Sequence, residues 1–143
     1  MASVARIQEL LGGEAVTGPL ESDLDVVAMV RRGVPTEAVD HFLAASHLSF
    51  NAIERHVLPR RTFKRRQHAA EPLDAAESDR LLRLVRLVVA ANETFGDPAK
   101  AYVWLGRENR TLGGQSPLSL ADTDLGARSV ETLLGQIGHG LAA

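Results

Sequence analysis

The chain has 143 residues, 45% of them apolar, no cysteine and a formal charge of −2. That suffices for one compact domain or two small ones sharing a core, and it excludes a disulfide framework, thiolate metal sites and any global basic bias toward nucleic acid. No apolar run approaches the roughly 20 residues of a membrane helix, and the first residues lack a signal-peptide core, so a cytoplasmic protein making no membrane contact is expected.

Residues 1–21 read as an N-terminal arm. Val4, Ile7, Leu10 and Leu11 have helical spacing ahead of Gly12-Gly13, which fits a short helix on a hinge or a disordered arm. Ser22 or Asp23 caps the next helix, whose expected inward stripe is Leu24, Val27 and Val30, and Gly33 stops it. Val34-Pro35-Thr36 then opens a segment with Ala38, Val39, Phe42, Leu43 and Leu48 turned inward. Ser49 is the N-cap candidate for a short helix through Val57 with Phe50 and Ile53 toward the core, and Pro59 suits the first turn of a further one.

That further helix is the basic part of the chain. Arg60, Arg61, Lys64, Arg65 and Arg66 put five positive charges within seven residues, and Phe63 is left as the inward anchor. Three short helices, 36–45, 49–57 and 59–68, make a helix-turn-helix arrangement within a DNA-binding region over 22–70. The alternative is a solvated basic face that balances acidic residues elsewhere. Arginine and lysine here would mostly grip phosphate, while Asn51 and Thr62 are the polar side chains best suited to base contacts. Glu54 would repel the DNA backbone unless it faces away.

Asp74 and Glu77 form a capping-box pattern at the start of the longest element, a connecting helix within 71–96. Leu81, Leu84, Val85, Val88, Val89 and Phe95 make one apolar stripe, and Leu82 and Leu87 widen it. Burial on two sides follows, either as a central core helix or as the seam of a homodimer. Gly96 ends the helix, and Asp97-Pro98 restarts the chain toward Ala101, Val103, Trp104 and Leu105.

Residues 97–143 form the last unit. Gly113-Gly114 suits positive φ and a close backbone approach, Ser116-Pro117 opens a one-turn helix, and Thr123 caps a closing amphipathic helix. Gly126 leaves room there for a tightly packed neighbour. Leu125, Val130, Leu133, Leu134, Ile137 and Leu141 exceed what one helix face can satisfy, and core packing is the expectation for Leu125, Val130, Leu134 and Trp104. With no run of alternating β-branched residues, the fold class is all-α, with about eight helices.

Taken in order, Thr62-Phe63-Lys64-Arg65-Arg66, Ser78-Asp79-Arg80-Leu81-Leu82, Phe95-Gly96, Trp104-Leu105 and Leu112-Gly113-Gly114 resemble the Xre/MbcA/ParS antitoxins over about residues 22–143. The resemblance implies an Xre-like helix-turn-helix region, a long core helix and a small toxin-binding domain. It also implies a RES-domain toxin as partner, an NAD-degrading enzyme whose active-site entrance the closing domain covers, and promoter DNA as a second partner. The residues assigned to the toxin are Arg107, Asn109, Arg110, Leu112, Gly113, Gly114, Gly126, Arg128, Gln136, His139 and Gly140. Those assigned to DNA are Asn51, Arg60, Arg61, Thr62, Lys64, Arg65 and Arg66. The chain departs from the family pattern at Val57-Leu58-Pro59, where a glycine-containing turn is usual, and at Glu108-Asn109, where Pro-Asn is common.

No catalytic chemistry is expected. Gly113-Gly114-Gln115-Ser116 lacks the lysine and preceding strand of a phosphate loop, the five histidines lack metal-ligand spacing, and no serine sits in a nucleophile elbow. No cofactor or metal is anticipated. The rival reading is a stand-alone helix-turn-helix regulator whose last helices only dimerise or sense a ligand.

Overall fold

The helix that begins at Ala75 is the one on which α1, α3, α5, α8 and α9, given below, all pack. Its capping box is complete, since Asp74 Oδ1 accepts from the Glu77 amide at 2.7 Å and Glu77 Oε1 accepts from the Asp74 amide at 2.8 Å. Gly96 closes it in the left-handed region at φ 67°. In the computed structural model, which describes residues 3–140, the chain forms α1 (Val4–Leu10), α2 (Glu14–Thr17), α3 (Asp23–Arg32), α4 (Thr36–Ser46), α5 (Phe50–His56), α6 (Arg60–His68), α7 (Ala75–Phe95), α8 (Pro98–Gly106) and α9 (Asp124–Gly138). Two short 3₁₀ segments, Arg110–Leu112 and Leu118–Asp122, lie between α8 and α9. Among the described residues the one β-type pairing is an isolated bridge between Asn109 and Gln115, so the architecture is all-α as anticipated. Leu141 lies outside the described residues.

The wide apolar surface of α7 is used up inside one chain. Leu81, Leu84, Val85 and Leu87 are fully buried and Leu82 nearly so, under α1, α3, α5, α8 and α9. α7 is therefore the central core helix, and the dimer seam drawn on its extra leucines is not available. Residues 3–11 form a docked helix rather than a free arm. Ser3 caps α1, Ile7 and Leu11 are buried, and Gln8 Nε2 donates to the Gly18 carbonyl at 2.8 Å.

α3 is rotated from the expected setting. Met29 is fully buried and Val26 half-buried, whereas Leu24 and Val27 face outward and Val30 is half-buried. At its C-terminal end Gly33, at φ 99°, passes so close to the Leu73 carbonyl and Pro72 that a Cβ would collide, which fixes the exit of the chain from α3.

Candidate functional site

The helix-turn-helix is held by aromatic packing inside and polar ties behind. Phe63 of α6 is buried against Phe50 of α5 with ring centroids 5.1 Å apart, and the Arg60 guanidinium lies 4.5 Å from the Phe50 centroid. Pro59 offers no capping side chain, so Glu54 takes that role: its Oε2 accepts from the Arg60 amide at 3.0 Å. Its carboxylate is thus committed to the turn.

The glycine-free turn is accommodated by burial and an arginine clamp. Val57 is 3% and Leu58 2% exposed, and neither needs a positive φ. Arg80 Nε and Nη2 donate to the Val57 carbonyl at 2.9 and 2.7 Å, holding the end of α5 from α7. Two residues back along α7, the fully buried Ser78 Oγ accepts from the Val34 amide at 2.9 Å. Composition and periodicity gave no sign of these roles; the Ser78-Asp79-Arg80 segment was visible only as part of a family pattern.

The five basic residues of α6 do not share one environment. Arg60, Arg61, Lys64 and Arg65 are exposed and Thr62 is half-buried. Arg66 is only 16% exposed, with Nε 3.0 Å from Glu77 Oε1 and Nη2 3.6 Å from Asp74 Oδ2. The short Nε contact is out of line for a hydrogen bond, so it is an ion pair supported by Nη2 donating to Glu77 Oε2 at 3.4 Å. Arg66 therefore fastens α6 to the α7 cap, whereas the other four cations stand in solvent. Asn51 is exposed but lines a cleft of about 480 Å³ between α5, α8 and the 116–119 turn, together with Arg55. Arg55, one helical turn after Asn51, is an exposed cation the cluster-based reading passed over.

His56 also borders this cleft and is buried where α5 meets the closing unit, with no partner for Nδ1. Burial lowers its pKa below the usual 6.5; Arg55 adds to that, Asp122 opposes it, and Arg83 lowers it further.

The closing unit is a small scaffold with one open side. Asn109 builds its loop: Oδ1 accepts from the Thr111 amide at 3.0 Å, the carbonyl accepts from Gly114 at 2.9 Å, and the amide donates to Gln115 at 3.0 Å. Gly113 and Gly114 have φ of 70° and 82°, with open space where a Cβ would stand. Thr123 caps α9 through the Gly126 amide at 2.9 Å. A Cβ on Gly126 would collide with the Leu120 carbonyl, so the neighbour that glycine admits is the preceding 3₁₀ turn of its own chain. Asn109 and Gly126 thus do internal work in the fold.

α9 buries Ala127, Val130, Leu133 and Leu134. Leu125, expected in the core, is 69% exposed. It stands in the first turn of α9 and lines a shallow groove of about 460 Å³ with Thr111, Leu112, Arg128, Leu133 and Gln136. Three of the assigned toxin residues, Leu112, Arg128 and Gln136, therefore meet in one place. Arg128 is steadied by Asp124 at 3.0 Å. Arg107 lines a separate hollow beside Val103 and Trp104. Trp104 is half-buried against Phe95 at 5.5 Å, while Val103 faces solvent. Arg110, His139 and Gly140 are exposed outside both hollows.

Comparison with known proteins divides the chain along the same lines. Residues 25–86 match the antitoxin Xre-like helix-turn-helix domain, and residues 90–140 match the antitoxin Xre/MbcA/ParS C-terminal toxin-binding domain. The chain is similar to three proteins named antitoxin Xre. With that of Photorhabdus laumondii it is 34% identical over 127 residues, 87% of this chain and 86% of the relative. With that of Yersinia enterocolitica it is 32% identical over 118 residues, 81% and 80% of the two chains. The match to that of Pseudomonas putida, 36% over 84 residues, takes in 59% of this chain and spans about half of the relative, 53%.

Proposed function

Given that the chain belongs to the Xre/MbcA/ParS antitoxin family, with a helix-turn-helix domain and a toxin-binding domain, we propose that it neutralises a RES-domain, NAD-degrading toxin and represses its own operon. The closing unit seats its groove over the toxin's active-site entrance. Arg107, Arg110, Arg128, Gln136 and His139 form the polar rim, and Gly113-Gly114 lets the loop backbone approach the toxin surface. Arg60, Arg61, Lys64 and Arg65 grip operator phosphates, with Thr62 closest to the bases, and two copies bind the two halves of the site. The protein acts in the cytoplasm, as half of a type II toxin–antitoxin pair.

The observation that carries this reading is Leu125, left 69% exposed in the groove of the very segment that matches a toxin-binding domain. Covering such a side chain is worth roughly 1.5–3 kcal/mol, enough to anchor an interface. In the test, cellular NAD is measured while the toxin encoded beside this gene is expressed with or without the protein. NAD should fall with the toxin alone and recover with the wild-type protein, but not with Leu125→Glu. Steady NAD under the toxin alone would rule out an NAD-degrading partner. Full rescue by Leu125→Glu would move the contact away from the groove.

A further inference from the structure

One helix in the DNA-binding half has an apolar face that nothing in its own chain covers. On α3, Leu24 is 77% exposed, Val27 is 40% exposed and Ala28 is exposed as well. They stand at i, i+3 and i+4, and Arg31 at i+7 continues the same stripe. The opposite side of the helix, around Met29, faces α7.

The charges at the ends of α3 are divided in a telling way. Each end carries two of one sign, Asp23 and Asp25 in the first turn and Arg31 and Arg32 in the last. Asp25 is occupied, its Oδ2 accepting from the Glu21 amide at 2.8 Å, and Arg32 is occupied, its Nη2 donating to the Thr17 carbonyl at 2.8 Å. Asp23 and Arg31 are exposed, and neither has an ion-pair partner among the described residues.

We infer that α3 is the contact between two copies of this chain, packed antiparallel about a twofold axis passing between Val27 and Ala28. That axis sets Leu24 against Arg31 of the partner subunit, and Val27 against Ala28 of the partner subunit. The small alanine permits close approach at the centre. The arginine stem lies along the leucine, and its guanidinium reaches Asp23 of the partner subunit. A parallel pairing would set like charges side by side, so the pattern matches itself only when reversed.

One helix face falls short of the roughly 800 Å² per partner found in stable complexes, so the free dimer is weak. Binding both halves of an operator would hold the copies together and strengthen the contact. The inference rests on the dimeric operator-binding reading above and supplies its interface.

Sedimentation velocity of the full chain without DNA, over a wide concentration range, tests it. The wild type should show a monomer–dimer equilibrium, and Leu24→Glu should raise the dimer dissociation constant about tenfold or more. Asp23→Arg and Arg31→Asp should each weaken the dimer, and the two together should restore it to within about threefold of wild type. A dimer unaffected by all of these changes would overturn the α3 contact and leave the dimeric reading standing. A wild type that stays monomeric at every concentration would overturn both. Charge reversals that fail to rescue each other would overturn the antiparallel arrangement, and so would a Leu24→Glu protein that sediments like wild type but no longer captures the toxin.

Discussion

The two halves of the molecule are attached to the same long helix by different kinds of force. The DNA-binding half is tied to α7 by short hydrogen bonds, Ser78 to Val34 at 2.9 Å and Arg80 to Val57 at 2.7 Å, with the Arg66–Glu77 ion pair beside them. The closing half is held mainly by apolar packing of α8 and α9, and its polar ties, Arg83 to Ala121, Arg86 to Glu131 and Thr94 to Leu134, are longer at 3.2–3.3 Å. Hydrogen bonds are directional, whereas apolar contact is not. A helix that must present its side chains to a groove at a set angle gains from directional ties. A unit that must only offer one face to another protein needs a firm backing and an unoccupied front. That difference accounts for the Ser78 and Arg80 ties on one side and the exposed Leu125 on the other.

The sharpest way to break this comparison is to remove a brace. Glu77→Ala deletes half of the capping box and leaves the largely buried Arg66 with only the more distant Asp74, so stability should fall by about 3–5 kcal/mol. On the open front, Leu125→Glu should change stability by only about 0.5 kcal/mol. Urea denaturation of both variants checks the pair, and equal losses would erase the distinction between the halves.

A finer separation runs within α6 itself. Arg65→Ala should weaken operator binding and reduce the slope of log affinity against log salt by about one, because one phosphate contact is gone. Arg66→Ala should lower stability and leave that slope unchanged. Matching slope changes would return Arg66 to the DNA surface.

The smallest effect is expected where the halves meet, at His56. Burial lowers its folded pKa below 6.5, so the unfolded chain binds the extra proton more readily than the folded one. The resulting stabilisation is present above pH 6.5 and is lost as pH falls below it toward the folded value. Urea midpoints taken across this window should decline for the wild type and flatten for His56→Gln. An identical decline in the variant would place the titrating group elsewhere.

Much of this was legible in residue order because it is governed locally. The Asp74–Glu77 box, the stop at Gly96, the Asp97-Pro98 restart and the Thr123 cap each satisfy backbone groups within about one turn, so type and spacing are sufficient. The α7 stripe follows from the 3.6-residue period, as does Phe63 as the anchor of α6. Two misplaced leucines share one cause: Leu24 and Leu125 are expected inward because leucine at helical spacing usually is, but what covers the first turn of a helix depends on the neighbours supplied by distant segments.

The amino-acid order by itself determined the helices, their caps and the grouping of charge, since those depend on residues one to four positions apart. Tertiary structure alone decided which members of each group are available. Arg65 and Arg66 are the same side chain one residue apart, yet a rotation of about 100° along the helix leaves one in solvent and brings the other to the carboxylate of Glu77. Glu77 lies eleven positions further along the chain, and folding places it there.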